Sequence, residues 1–314
     1  MNEIEELENT KQMVGLVDTS QYDDLTEAVK QALKLIHFDF HKRMKKIAIK
    51  PNLCYYWKPS TGETTDPKLV GAVIDIFRMH GNSDEIFLVE SDATAMKTEY
   101  AYRMLDYEKL AEKKNVELIN LSNDIRLPAN VDDSILDRIK IPKMLTEVDF
   151  FVSMPKLKLH RLTGLTCALK NQFGCIPIER KIVFHRHLNK VIAFINKVVT
   201  PDLVLVDGII SLGKTPKRLN LIMAGYDPVA VDFIAAKIAG LNPKRIRHLV
   251  ESERFGVGST NVKLVGDDLS LFANMFPQRG FLYNVSRKLL LQLYSLYLRL
   301  FTVEGRVLKM QPTL

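Results

Sequence analysis

The chain has 314 residues, 46% hydrophobic and 26% charged, and its 44 Lys and Arg against 37 Asp and Glu give a formal net charge of +7. That composition is ordinary for a folded globular protein with a sizeable core, and the mild basic excess favours anionic partners. Three cysteines (Cys54, Cys167 and Cys175) and an acidic start without basic and apolar signal regions exclude a disulfide framework and imply a cytoplasmic protein.

In chain order, short apolar runs predict strands over 14–17, 46–50, 85–90, 116–121, 150–154, 203–206, 219–224 and 262–265. Between them the helical period predicts amphipathic helices over 25–35, 67–80, 107–114, 181–199 and 229–239. Strands alternating with long helices imply βαβ units, hence an α/β fold with a mostly parallel sheet covered by helices. No internal repeat or linker divides the chain, so residues 1–270 read as one α/β domain and 271–314 as a C-terminal amphipathic helical appendage. Within that appendage, Arg287, Lys288, Gln292 and Arg299 interrupt the apolar run 281–301 too often for a spanning helix. The run is expected to pack on the domain or in a homo-oligomer, with peripheral membrane contact as the minor alternative.

Ligands of open α/β sheets bind beyond the carboxyl ends of the strands. The residues there are Lys50 and Asn52, then Glu90, then the segment from Pro155 to His160, then Asp207. Pro155 is expected to end the ladder of its strand. In extended chain Lys156, Lys158 and His160 share one face, and Leu157 and Leu159 share the other. Neighbouring cations repel by about 1 kcal/mol per pair even near water, so an anion is expected among them. The following segment reads as a helix with Thr163 as N-cap and Gly174 as its end, placing Thr163, Thr166 and Lys170 on one face. A helix N-terminus at a lysine-rich strand exit makes an anion site.

The roles that follow are specific. Lys156, Lys158 and Lys170 bind the anion, with Lys158 also close to the chemistry. His160, kept neutral by nearby lysines, is the acid/base. Lys50, Asn52, Thr166 and Asn171 position the ligand, and Glu90 or Asp207 is a second titrating group. Asp232 lies among apolar residues and is expected to pair with a site lysine.

Other motifs are set aside. Gly208 to Thr215 matches a phosphate loop, but Pro216 and a β-like run follow where a helix is required, so it reads as an irregular turn. His185 and His187 diverge at helical spacing, and no metal site is predicted. Tyr55, Tyr56 and Trp57 read as a packed loop, and no nucleic-acid module is present.

The stretch PKLKLHRLTGLTCALKNQFGC at 155–175, with IKPNL at 49–53, TTDP at 64–67, VDGI at 206–209 and AGYDPVAVD at 224–232, resembles the family catalogued as domain of unknown function 362. The resemblance covers residues 45–260 and supports these site positions. Many members carry a ferredoxin-like module with clustered cysteines. This chain has no such cluster motif, so an iron–sulfur cluster bound by it is not expected, and its cofactor stays unknown. The resemblance leaves two functions open: an enzyme acting on a carboxylate- or phosphate-bearing molecule, or a non-catalytic accessory of a redox or cofactor-maturation partner.

Overall fold

Residues 10–80, 83–129 and 131–277 are described by the structure, a computed structural model. The run 281–301 lies outside them. The strands are β1 (Met13–Asp18), β2 (Lys46–Pro51), β3 (Glu85–Glu90), β4 (Glu117–Asn120), β5 (Arg126–Pro128), β6 (Lys140–Pro142), β7 (Phe150–Met154), β8 (Lys156–His160), β9 (Gly164–Thr166), β10 (Leu203–Leu212), β11 (Pro216–Gly225) and β12 (Lys263–Gly266). The helices are α1 (Leu25–Leu35), α2 (Pro67–Met79), α3 (Thr98–Met104), α4 (Tyr107–Lys114), α5 (Met144–Glu147), α6 (Ala168–Asn171), α7 (Leu188–Val198), α8 (Pro228–Ile238), α9 (Arg247–Arg254) and α10 (Leu269–Met275).

Among the described residues one ten-stranded sheet runs in the order β12-β1-β11-β10-β7-β2-β3-β4, with β8 and β9 attached through β10. Its pairings are mostly parallel; β11 is antiparallel to both β1 and β10, and β9 to β8. The fold is therefore α/β, as the alternation of elements implies. Alternation within each strand divides the core in two. Ile47, Ile49, Phe150 and Val152 enter one cluster with residues of α1 and α2. Ala48, Phe151, Val204 and Val206 enter the other with α7 and α8. A sheet covered on both faces explains why the strands read as unbroken apolar runs.

Local chemistry sets the helix starts. Asp24, Asp66 and Asp227 accept backbone N–H bonds as N-caps, and Pro67 and Pro228 occupy the first helical positions. Two expectations change. The helix over 181–199 divides into a 3-10 segment, Lys181–His187, and α7, because Lys181 is drawn inward by hydrogen bonds to Ser91 and Asp92. The run after Gly213 is no separate βαβ strand but the return arm of a β10–β11 hairpin, which also rules out a phosphate loop. The helix α10 buries Phe272 in the larger core cluster.

Candidate functional site

The site begins where the sheet splits. β7 pairs with β2 from Ile47↔Phe150 to Pro51↔Met154. One residue later β8 leaves β2 and runs along β10, with Lys156 opposite Asp207 and Lys158 opposite Leu212. Pro155 thus redirects the ladder instead of ending it, and its carbonyl accepts the Asp207 N–H at 2.9 Å. A cleft of about 1050 Å³ lies between the segment after β2, the segment after β3, β8 and α6.

Downstream of β8 the expected helix start is replaced by a hairpin. His160 pairs with Gly164, whose φ of 87° suits a residue without Cβ, and β9 returns to Thr166. The helix that follows, α6, is a single turn starting after Cys167, so Thr163, Thr166 and Lys170 do not share a helical face. Thr163 instead holds the turn, donating its hydroxyl to the Leu165 carbonyl at 2.8 Å. Gly174 does not end α6 either, since a 3-10 turn, Gln172–Cys175, continues through it.

The cleft floor is a closed polar network. Lys50 Nζ donates to Glu90 Oε2 at 2.7 Å, to the Pro51 carbonyl at 3.0 Å and to Asn171 Oδ1 at 3.3 Å. Those three bonds use all three ammonium protons. Glu90 also accepts the N–H groups of Leu53 and Ser91. Asn171 donates its amide to the Lys50 carbonyl and to Ser153 Oγ. Lys50, Glu90 and Asn171 therefore have little left to offer a ligand, and Glu90 is held as a buried partner. Gly174 covers this pair so closely that a Cβ there would sit 2.5 Å from Lys50 Nζ.

The walls differ. Lys158 Nζ donates twice to Glu63, at 2.6 Å to its carbonyl and 2.8 Å to its carboxylate, which leaves one proton. Lys181 Nζ donates to Ser91 Oγ and the Asp92 carbonyl, and burial lowers its pKa to about 8. Lys170 lines the same cleft with no hydrogen bond or ion pair to its ammonium among the described residues. Burial first, and Lys158 next, push the Lys170 pKa down to about 8.

His160 is held well below its ordinary pKa, by burial first and then by Lys170 and Lys158. The lysine effect matches the expectation; the larger part is desolvation. The N–H groups of Leu162 and Thr163 donate to Nδ1 at 3.3 and 3.2 Å. The Thr163 hydroxyl also meets Nδ1, at 3.0 Å, so the hairpin turn engages this nitrogen and the neutral ring can carry its proton on either side. Two further wall atoms, Asn52 Oδ1 and Thr166 Oγ1, are buried and without a protein hydrogen-bond partner among the described residues.

Not every expected site residue reaches the cleft. Lys156 and Asp207 form a buried ion pair at 2.8 Å behind it, and Asp207 also accepts the Asp66 and Ile209 N–H groups. Asp232 meets His248 at 3.6 Å instead of a lysine, and its other oxygen faces the Leu169 N–H, bracing α6 from below. Cys167 and Cys175 are buried and their thiols pushed up, Cys175 to about 12, so only Cys54 faces the cleft. Among the described residues no group of three or more ligands suits a metal ion. Lys181, Glu63 and Arg161 line the cleft and were not singled out by sequence. Ser91, which follows Glu90 at the β3 exit, lines it as well. Lys181 arrives from a distant segment and carried no such signal.

Residues 47–237 match the family described as domain of unknown function (DUF362). A thylakoid-associated protein of Synechocystis sp. is 25% identical over 239 residues, covering 72% of this chain and 73% of that protein. Among solved structures, the lactate racemase apoprotein of Thermoanaerobacterium thermosaccharolyticum gives a TM-score of 0.40 at 13% identity, over 79% of this chain and 57% of that one. A Thermotoga maritima protein gives 0.37 at 13% identity, over 74% and 59%. The chain spans less than two thirds of either solved protein, and at these scores the likeness reaches no further than the α/β class. Among the described residues no helix is long and apolar enough to cross a membrane.

Proposed function

This chain belongs to the DUF362 family, and from that premise we propose that it is an enzyme whose cleft takes a carboxylate- or phosphate-bearing small molecule. The observation that carries this reading is Lys170, a partly buried ammonium that meets no partner among the described residues on the wall of a large cleft. Among the described residues Lys50, Lys158, Lys170, Lys181 and Lys214 line that cleft, and its carboxylates Glu90 and Glu63 pair with Lys50 and Lys158, which leaves an excess of cation. Such an excess in a partly desolvated space repels itself until an anion enters.

In this reading Lys170 and the remaining Lys158 proton grip the anionic group. His160, held neutral at the cleft wall, serves as the acid/base of the site. Asn52 Oδ1 accepts from the ligand and Thr166 Oγ1 exchanges a hydrogen bond with it. Lys50, Glu90 and Asn171 keep the floor rigid. Lys156, Asp207 and Asp232 support the strands and α6 from outside the cleft. We further place the enzyme in the cytoplasm; fractionation that recovers it with membranes would overturn that placement.

Thermal-shift measurements against a panel of metabolites and cofactors test the reading. Anionic compounds should raise the melting temperature of the wild type, with the response weakened at least tenfold in Lys170→Met and in His160→Ala. Responses left unchanged in both variants and in Lys158→Ala would remove the assignment.

A further inference from the structure

We propose that Lys170 is a nucleophilic amine that condenses with the carbonyl group of an anionic oxo compound and holds it as an imine. The inference rests on the anion-binding reading of the cleft and names the class of molecule within it.

Four lysines reach the deep part of the cleft, and their hydrogen bonds separate them. Lys50 uses all three ammonium protons on the floor, and Lys158 and Lys181 each use two on neighbouring groups. Those bonds tie up the nitrogen; Lys181 shares the lowered pKa of about 8, so the bonding and not the pKa sets Lys170 apart. Lys170 alone among these four has no such bond within the described residues, so its lone pair is available once the proton leaves. Desolvation and adjacent cations ease that departure, and with a pKa of about 8 roughly a tenth of Lys170 is free amine near pH 7. The surroundings supply the rest. Lys158 keeps one proton for a carboxylate or phosphate, a neutral His160 lines the same cleft, and Thr166 Oγ1 lacks a protein partner among the described residues.

The step balances without a co-reactant. The Lys170 Nζ lone pair forms the C–N bond, the carbonyl π pair moves to oxygen, and one amine proton is transferred to that oxygen. The C–O bond then breaks, and the hydroxyl leaves with the second amine proton as water, giving the imine. Neutral His160 relays that proton from nitrogen to oxygen and is not consumed.

Pyruvate and dihydroxyacetone phosphate serve as probes, one carrying a carboxylate and one a phosphate. The full-length protein is incubated with each in the presence of cyanoborohydride and analysed by intact mass and peptide mapping. The expected result is a single adduct on Lys170, with a mass gain equal to the probe less one oxygen atom, for at least one probe. The probe that reacts identifies the anionic group. The trapping rate should rise with pH through about 8, and Lys170→Arg should give no adduct while melting as a folded protein. A thermal shift by either probe without an adduct at Lys170 overturns the imine and leaves the anion site standing. No shift and no adduct with either probe overturns both. Adducts scattered over surface lysines with Lys170 unmodified also overturn the proposal, and that result needs no variant.

Discussion

Folding alone does not favour a partly buried lysine without a partner, so Lys170 should be a burden on stability. Replacing it with Met should raise the melting temperature, by roughly 2–4 °C for each kcal/mol of relieved desolvation, while weakening the response to anions. A calorimetric scan decides this, and a lower melting temperature would mean that Lys170 is held by a favourable contact. The same shift sets a pH dependence. Lys170 and Lys181 lose their protons near pH 8 when folded, against an ordinary lysine value of 10.5. Between those values the unfolded chain binds more protons, so stability should rise with pH across that window. The two histidines act on the acid side. His160 lies well below 6.5 and His185 near 4, so stability should fall as pH drops below 6.5. Melting curves from pH 4 to 10.5 in wild type and Lys170→Met read both windows, and the alkaline rise should shrink in the variant. At this scale the sequence was only partly informative. A period of two put Lys156, Lys158 and His160 on one side of a strand, yet Lys156 is neutralised by Asp207. Which of several lysines keeps its charge unpaired depends on partners far away in the chain, and spacing does not record them.

Elements were more legible where the core dictated them. The strands Glu85–Glu90 and Phe150–Met154 and the helices Leu25–Leu35 and Tyr107–Lys114 lie where apolar runs and helical period put them. The β8–β9 hairpin escaped because a strand of alternating Lys and Leu ending in His reads as a strand exit, and the glycine at 164 reads as a helix start. Its pairing with β10 shifts register between Asp207 and Leu212, an irregularity that local pattern does not reveal. The 3-10 turn carrying Gly174 was likewise hidden, although its consequence is testable. Ala at 174 would place a methyl 2.5 Å from Lys50 Nζ and 2.6 Å from Glu90 Oε1, both held by hydrogen bonds. Gly174→Ala should therefore destabilise by about 1–3 kcal/mol through overpacking. Urea denaturation measures this, and an undiminished midpoint would show that the floor can yield.

For the whole molecule, the sheet with a core on each face followed from alternating elements, whereas the cleft came from one redirection of the chain at Pro155. The mouth of that cleft carries Tyr55 and Trp57, exposed at 48% and 55%. The expected packed loop holds only for Tyr56, whose hydroxyl accepts the Lys97 N–H. Because Trp57 is the chain's single tryptophan, its emission should change when the cleft fills. Titrating the wild type with any ligand found by thermal shift should give a saturable change that vanishes in Trp57→Phe. A flat titration with a confirmed ligand would place binding away from the mouth. The self-contained floor has one further consequence, for how such a protein can diverge. Because Lys50, Glu90 and Asn171 bind one another, substitutions at Lys170, Lys158 or the rim leave the foundation of the cleft intact. Descendants of one ancestral chain can then acquire different substrates by altering the walls, without having to solve the folding problem again.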